Sequence, residues 1–323
     1  MLPSDIHNKR ILLSPLNWGM GHVARCIPLI DALLKNDNCL IVAANLEQQQ
    51  IFKQYFPQLE YIEHSGYPFK FGRRGNFSLD LALQFRSLKK RLKLEKEEVK
   101  SYIEKFGFDI LISDHRYGFC CDGIFSIFLT HQLNLPVRWF EGWVQKLHER
   151  FLGNFDEIWV PDSPQSDLSG DLSQNKAGFK VQYIGALSRF SLYNIPEVKK
   201  SYSVVIVSGP EVYGKNYLKE QAKTSEINPS ELIYIVPKGL EEVAKNSQIK
   251  LLVSDDWLAC DQLIIHSSKV TVRSGYSTLM DLYVLKVPFS ITPTPFQREQ
   301  HYLYDLWSRK AQLSAGNQEG EEV

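Results

Sequence analysis

The chain has 323 residues, 44% of them hydrophobic and 23% charged, and its 37 lysines and arginines balance 37 aspartates and glutamates. That length predicts two globular domains of roughly 150 residues each, and the balanced charge argues against a nucleic-acid partner, which would call for a basic field. The five cysteines, at 26, 39, 120, 121 and 260, show no C-x-x-C spacing, so neither a disulfide framework nor a zinc site is indicated. Residues 1–9 lack the apolar core of a signal peptide and no run approaches the ~18–20 apolar residues of a membrane span, so a cytoplasmic chain is expected.

The first predicted strand, 11–16, runs through Asn17 and Trp18 into Gly19-Met20-Gly21-His22 and then into an amphipathic segment, Val23 to Lys35. This reads as strand, glycine turn and helix. Gly19 and Gly21 let the backbone pass close to a ligand, while the N–H groups opening the helix favour an anionic group or polar oxygen. His22 sits on that turn and titrates near neutrality, which makes it a candidate general base. Further apolar runs of strand length at 39–44, 109–113, 136–140 and 157–160 alternate with helical segments and predict a parallel sheet with helical crossovers.

Asp114 follows the run 109–113 and precedes His115. It can orient a catalytic imidazole, contact an acceptor hydroxyl, or cap a helix. Ser78 to Lys105 reads as one long helix with an imperfect apolar face and the basic residues Lys89, Lys90, Arg91 and Lys93. That face is a solvated surface, the reading the net neutrality favours, or a contact with an anionic membrane to which Arg73 and Arg74 add charge. His131 is read as a satisfied, half-buried histidine and Trp139, Trp143 and Trp159 as packing residues, with Trp18 as the candidate sugar platform.

A second series of strands is predicted at Ser203–Val207, Leu232–Val236, Leu251–Val253, Leu263–Ile265, Val270–Val272 and Phe289–Ile291. The fold class is therefore α/β: two Rossmann-like, doubly wound parallel-sheet domains, 1–190 and 202–312, facing a cleft across a linker at 191–201, with a polar tail at 313–323. Three segments of the second domain follow strands. Ser208-Gly209-Pro210-Glu211 ends the first. Arg273-Ser274-Gly275 through Thr278 can offer hydroxyls and helix N–H groups to a diphosphate, with Asp281 accepting from a ribose; an ordinary N-cap accounts equally well for Ser274 or Ser277 alone. Pro293 to Gln300 places Glu299 and Gln300 beyond the last strand.

These motifs resemble the two-domain glycosyltransferases of the GT-B fold, especially the group of the peptidoglycan N-acetylglucosaminyltransferase and the glucuronosyl-type transferases. Gly19-Met20-Gly21-His22 is similar to that group's N-terminal histidine-ending loop. Arg273-Ser274-Gly275 through Asp281 looks like its donor signature, with Asp281 where Glu is usual, and Glu299-Gln300 is similar to its sugar-contacting pair, with Leu303 in place of an Asn. A resemblance to bacterial glycosyltransferase-like proteins rests on Pro15 to Gly19, Ile112-Ser113-Asp114, Thr130 to Leu133 and Tyr183-Ile184-Gly185. Relatives end in a helix crossing back to the first domain, where the polar stretch 317–323 stands here.

The resemblance implies inverting transfer of a hexose from a UDP-sugar to a hydroxyl of a saccharide or lipid-linked acceptor, in the service of cell-envelope polysaccharide. His22 is then the base and Asp114 a second catalytic residue. Gly19, Gly21, Ser208, Gly209, Arg273, Ser274, Gly275, Thr278, Asp281, Glu299 and Gln300 hold the donor, Asp281 through its ribose and Gln300 through its sugar. None of the 16 aspartates forms a D-x-D pair, so no metal is expected, and no cofactor beyond the donor. Two alternatives stay open. Gly19-x-Gly21-His22-x-x-Arg25-Cys26 also resembles the nucleotide-sugar hydrolase of pseudaminic acid synthesis, in which the same histidine activates water; the other is a catalytically idle sugar-nucleotide-binding protein.

Overall fold

A computed structural model describes residues 1–68, 77–138, 141–197, 200–209, 211–224, 231–241 and 250–318. The chain divides into two compact units, Met1–Tyr193 and Asn194–Val323, the division falling inside the segment 191–201.

In the first unit, β1 (Arg10–Pro15) is buried after its first residue and leads into α1 (Met20–Leu34), whose residues Val23 to Ile30 are all buried. A strand buried on both faces and a helix buried through its middle belong at the centre of a doubly covered sheet. β2 (Cys39–Ala44) and α2 (Leu46–Tyr55) follow, the helix opened by a capping box between Asn45 and Gln48, then β3 (Glu60–Glu63). The long α3 (Phe77–Phe106) returns the chain to β4 (Ile110–Asp114), and β5 (Phe125–Leu129), α4 (Gly142–Leu152), β6 (Glu157–Val160) and β7 (Val181–Tyr183) complete the unit. The seven strands are parallel in the order β3-β2-β1-β4-β5-β6-β7.

The predicted strand at 136–140 is not found. Residues 136–138 carry no regular structure and 139–140 lie outside the described residues. The strand is β5 instead, reached from β4 by the short crossover 115–124 with no helix, a connection that helix-length spacing does not anticipate.

The C-terminal half of α3 packs Val99, Tyr102, Ile103 and Phe106 over Leu12, Ile41 and Leu111 of the sheet. Each fully buried aliphatic side chain there contributes on the order of 1.5–3 kcal/mol. Between α3 and the strand ends lies a buried polar network. Glu95 accepts from Arg116 Nε at 2.7 Å and from the Tyr67 hydroxyl, and lies 3.2 Å from His64 Nε2. Burial alone would raise the Glu95 pKa, but the charge of Arg116 and the bonds from His64 and Tyr67 hold it below the usual carboxylate value. Arg91, expected on a basic face, is buried and paired with Glu98 at 2.7 Å; Arg73 and Arg74 lie outside the described residues. Trp159 is buried as expected, whereas Trp143 is 45% exposed and Trp139 is not among the described residues.

The second unit contains β8 (Ser203–Ile206), α5 (Glu211–Thr224), β9 (Leu232–Val236), β10 (Lys250–Val253), α6 (Trp257–His266), β11 (Lys269–Arg273), α7 (Tyr276–Leu285), β12 (Phe289–Thr292) and α8 (Arg298–Gln318). Its five strands are parallel in the order β10-β9-β8-β11-β12. Leu263–Ile265 is not a strand but the last full turn of α6. The Asp256 side chain caps that helix by accepting from Ala259 N, and Cys260, Asp261, Ile264 and Ile265 form its buried stripe at helical spacing. The expected tail from 313 is helical as far as Gln318.

Candidate active site

Both sheets reverse their winding beside their first strand, between β1 and β4 and between β8 and β11. Ligands of open α/β sheets bind at the carboxyl ends of strands at such switch points. The candidate residues gather at these two places.

At the first, Pro15 stands opposite Asp114 in the parallel register, and Leu16 N donates to the Asp114 carbonyl at 2.9 Å. Gly19 then turns with φ 142°, a conformation only glycine adopts readily, and caps α1 so that His22 faces Asp114. His22 Nδ1 lies 2.9 Å from Asp114 Oδ2. Asp114 is wholly buried, and its other oxygen accepts from Arg25 Nε at 2.8 Å and from Arg25 Nη2. Arg25 Nη1 donates to His131 Nδ1 at 2.9 Å, and the Cys26 thiol lies 3.6 Å from Asp114 Oδ2.

The electrostatics follow from this packing. Burial would raise the Asp114 pKa, but the Arg25 charge and His22 overcome it and keep the carboxylate ionised. Burial, then the charge on Arg25, lowers the His22 pKa against the opposing pull of Asp114, so the imidazole is neutral. Arg25 Nη2 also lies 2.8 Å from His22 Nδ1. Two groups thus compete for that nitrogen, the carboxylate and the second N–H of Arg25 Nη2, whose first goes to Oδ1; the full negative charge of the carboxylate favours the tautomer with its hydrogen on Nδ1. His22 Nε2 keeps its lone pair, makes no hydrogen bond among the described residues and is open to solvent; the side chain is 18% exposed.

At the second switch point, Arg273 is buried with its guanidinium 4.0 Å over the Tyr217 ring, and Nη1 donates to the Pro293 carbonyl at 2.7 Å. No carboxylate pairs with it among the described residues, and its Nε has no partner. Burial lowers its pKa. Thr294 Oγ1, also buried and unpartnered, would lie 3.8 Å from a side chain placed at Gly209. A side chain at Gly275 would meet Thr278 Oγ1 at 3.9 Å and Gln300 Nε2 at 4.0 Å. Gly209, Arg273, Gly275, Thr278, Thr294 and Gln300 therefore share the ends of β8, β11 and β12.

The hydrogen bonding and burial of the expected donor residues differ from one to the next. Ser274 is wholly buried, and its hydroxyl donates to the Gln300 carbonyl at 2.8 Å, tying the turn after β11 to the first turn of α8. Asp281 is 6% exposed in the second turn of α7 and already engaged within the protein. Gln300 accepts from Thr294 N at 2.8 Å and donates to Gln297 at 2.6 Å. Glu299 and Ser208 are half-buried, Gly21 is exposed, and Pro210 lies outside the described residues. Sequence reasoning named Arg25 only within the hydrolase-like motif and gave it no role of its own. Its signal was a basic residue one helical turn after His22 within the otherwise apolar run Val23–Ile30. Tyr217 and Thr294 carried no signal of their own.

On the same unit as His22, the start of α3 and α4 form a surface groove of about 550 Å³ lined by Ala82, Phe85, Trp143, Lys146, Leu147 and Arg150. Leu83 nearby is 76% exposed. No described helix is long and apolar enough to cross a membrane.

No protein-family model and no curated protein matches the sequence. Solved structures do. The spinosyn rhamnosyltransferase SpnG complexed with thymidine diphosphate is 17% identical, aligns over 93% of this chain and 91% of its own, and gives a TM-score of 0.57. Arabidopsis thaliana UGT89C1 complexed with UDP-L-rhamnose is 13% identical over 93% and 83%, with a TM-score of 0.58. SsfS6, a glycosyltransferase of Streptomyces sp. SF2575, is 15% identical over 94% and 86%, with a TM-score of 0.58. The chain has the fold of the GT-B glycosyltransferases.

Proposed function

We propose that the protein transfers a hexose, with inversion, from a nucleoside-diphosphate donor to a hydroxyl of a saccharide or lipid-linked acceptor. The observation that carries this reading is the His22–Asp114 pair, held by Arg25 with His22 Nε2 left free at a sheet switch point. Nε2 takes the proton of the acceptor hydroxyl as its oxygen attacks the anomeric carbon. Asp114 keeps Nδ1–H in place and stabilises the imidazolium that forms. The bond from the anomeric carbon to the diphosphate breaks with its electron pair on the leaving oxygen. The Arg273 guanidinium and the opening turn of α7 meet that charge, so the reading needs no metal. Gln300 exchanges its bond to Gln297 for the sugar, and Asp281 holds the ribose.

The UDP and TDP compounds in the neighbours' structures support a pyrimidine donor, with UDP first. The exposed Leu83, Phe85 and Trp143 beside Lys146 and Arg150 support peripheral contact with an anionic membrane, where a lipid-linked acceptor is found. Flotation with phosphatidylglycerol vesicles, absent for Trp143→Glu, tests that contact.

Calorimetric titration with UDP, TDP, GDP and CMP in EDTA tests the donor site. Micromolar binding of one nucleotide, unchanged in His22→Ala while sugar transfer from the matching donor is lost, is the expected result. Binding of none overturns the reading.

A further inference from the structure

A second imidazole stands beside the base, and the transfer reading leaves it unused. His115 follows Asp114 directly with φ 62°, a left-handed conformation uncommon for a residue with a side chain. Its ring lies edge-on to His22, the centroids 6.0 Å apart at 69°. On its other sides it meets His148 at 6.2 Å, Tyr117 at 5.8 Å and Phe128 at 5.5 Å. His148 is itself fixed, Nδ1 2.8 Å from the Tyr117 hydroxyl and Nε2 2.8 Å from the Gln132 carbonyl. His115 is therefore packed among four rings, one of them held by two hydrogen bonds.

Its own nitrogens are not satisfied. Nδ1 is sealed from solvent without a hydrogen-bond partner, and Nε2 makes no hydrogen bond among the described residues. Buried N–H groups without an acceptor are rarer than buried acceptors without a donor, so the hydrogen belongs on Nε2. Burial, then the charge of Arg25, lowers its pKa well below the ordinary histidine value, which keeps the ring neutral. The two neighbouring imidazoles thus carry opposite roles: His22 Nε2 offers a lone pair and His115 Nε2 offers a hydrogen.

We propose that His115 determines acceptor specificity by donating its Nε2–H to a second oxygen adjacent to the hydroxyl that His22 deprotonates. The acceptor class is then a polyol with neighbouring hydroxyls, and an isolated alcohol is a poor substitute. The inference rests on the transfer reading above. Hydrogen bonds of about 2.8 Å from rings whose centres are 6.0 Å apart reach neighbouring oxygens of one molecule.

The test uses the full chain with 15N-labelled histidine, imidazole resonances read by long-range NMR correlation, and trans-1,2-cyclohexanediol and cyclohexanol as probes. His115→Asn, whose new residue tolerates the left-handed backbone, assigns the signal. The expected result is a His115 tautomer with hydrogen on Nε2. The diol should shift both His22 and His115, cyclohexanol should shift His22 alone, and the preference for the diol should be roughly fivefold, lost in His115→Asn. Hydrogen on His115 Nδ1, or a diol that moves His22 without moving His115, overturns this inference and leaves the transfer reading standing. A response of neither imidazole to either probe overturns both the inference and the acceptor placement on which it rests.

Discussion

His22 Nδ1 lies 2.9 Å from Asp114 Oδ2 across 92 positions of sequence. The meeting is a consequence of backbone register, since β1 and β4 are parallel neighbours that end together at Pro15 and Asp114. An amide at 114 would present a hydrogen as readily as an oxygen to Nδ1 and would let the wrong tautomer form. Asp114→Asn should lower kcat by roughly a thousandfold or more, the scale seen when the orienting acid of a catalytic triad is neutralised. Nucleotide affinity by calorimetry should stay within about twofold. A parallel fall in affinity would mean that the substitution has disturbed the fold and not the base.

Arg25 and Asp114 form a buried ion pair, the former 2% and the latter 0% exposed. Removing one member strands the other's charge. Arg25→Met should therefore cost about 3–5 kcal/mol of unfolding free energy in urea, and adding Asp114→Asn should recover part of that loss. Additive losses in the double variant would show that the two side chains do not interact energetically.

Acid should weaken the first unit through His148. Burial lowers its pKa from 6.5 to about 4. In the folded protein the ring stays neutral down to about pH 4, whereas in the unfolded chain it gains a proton below about 6.5. The unfolded state binds more protons in that window, so stability is complete above pH 6.5 and declines as pH falls toward 4, by roughly 3 kcal/mol from this group. In His148→Gln, urea midpoints recorded across that window should show a shallower decline. An unchanged pH slope would remove His148 from the acid sensitivity.

Arg273 is a buried cation with a carbonyl and an aromatic face but no paired carboxylate among the described residues. Arg273→Leu should weaken nucleoside-diphosphate binding by about 10- to 100-fold, the loss expected for charge-assisted bonds. The melting temperature should change little, because the buried charge is held by a carbonyl, an aromatic face and the field of Glu220 and not by a bonded carboxylate. A drop in melting temperature with unchanged nucleotide affinity would assign Arg273 a purely structural role.

Much of this arrangement was legible before folding. The apolar run at Ile11–Leu13 followed by Gly19 and His22 announced a strand-turn-helix with a basic nitrogen on it, because periodicity and glycine are local properties. Apolar length misled twice. Leu263–Ile265 is too short to tell strand from helix by periodicity, and the Asp256 cap decided for helix. The β4–β5 crossover has no helix to count, so β5 was displaced to 136–140.

Residue types alone also do not name partners. Ser274 carries the hydroxyl a phosphate wants, but the carbonyl of Gln300, 26 residues later, holds it. Arg91 lies in a basic run yet is buried and pairs with Glu98 two turns further along the same helix. Such choices depend on which neighbour arrives first within hydrogen-bond distance, and that is a property of helix orientation and sheet order.

By itself the sequence determined the two-sheet α/β class, the two switch-point turns and the presence of a titratable base on the first, because each follows from local patterning of apolar, glycine and polar residues. Only the tertiary structure decided that Asp114 is the group behind His22, that Arg25 keeps it ionised, and that His115 stands alongside with its Nδ1 sealed and unpartnered. Those relations join residues about 90 positions apart, and the register of parallel strands, set by burial of both sheet faces, is what brings them within bonding distance.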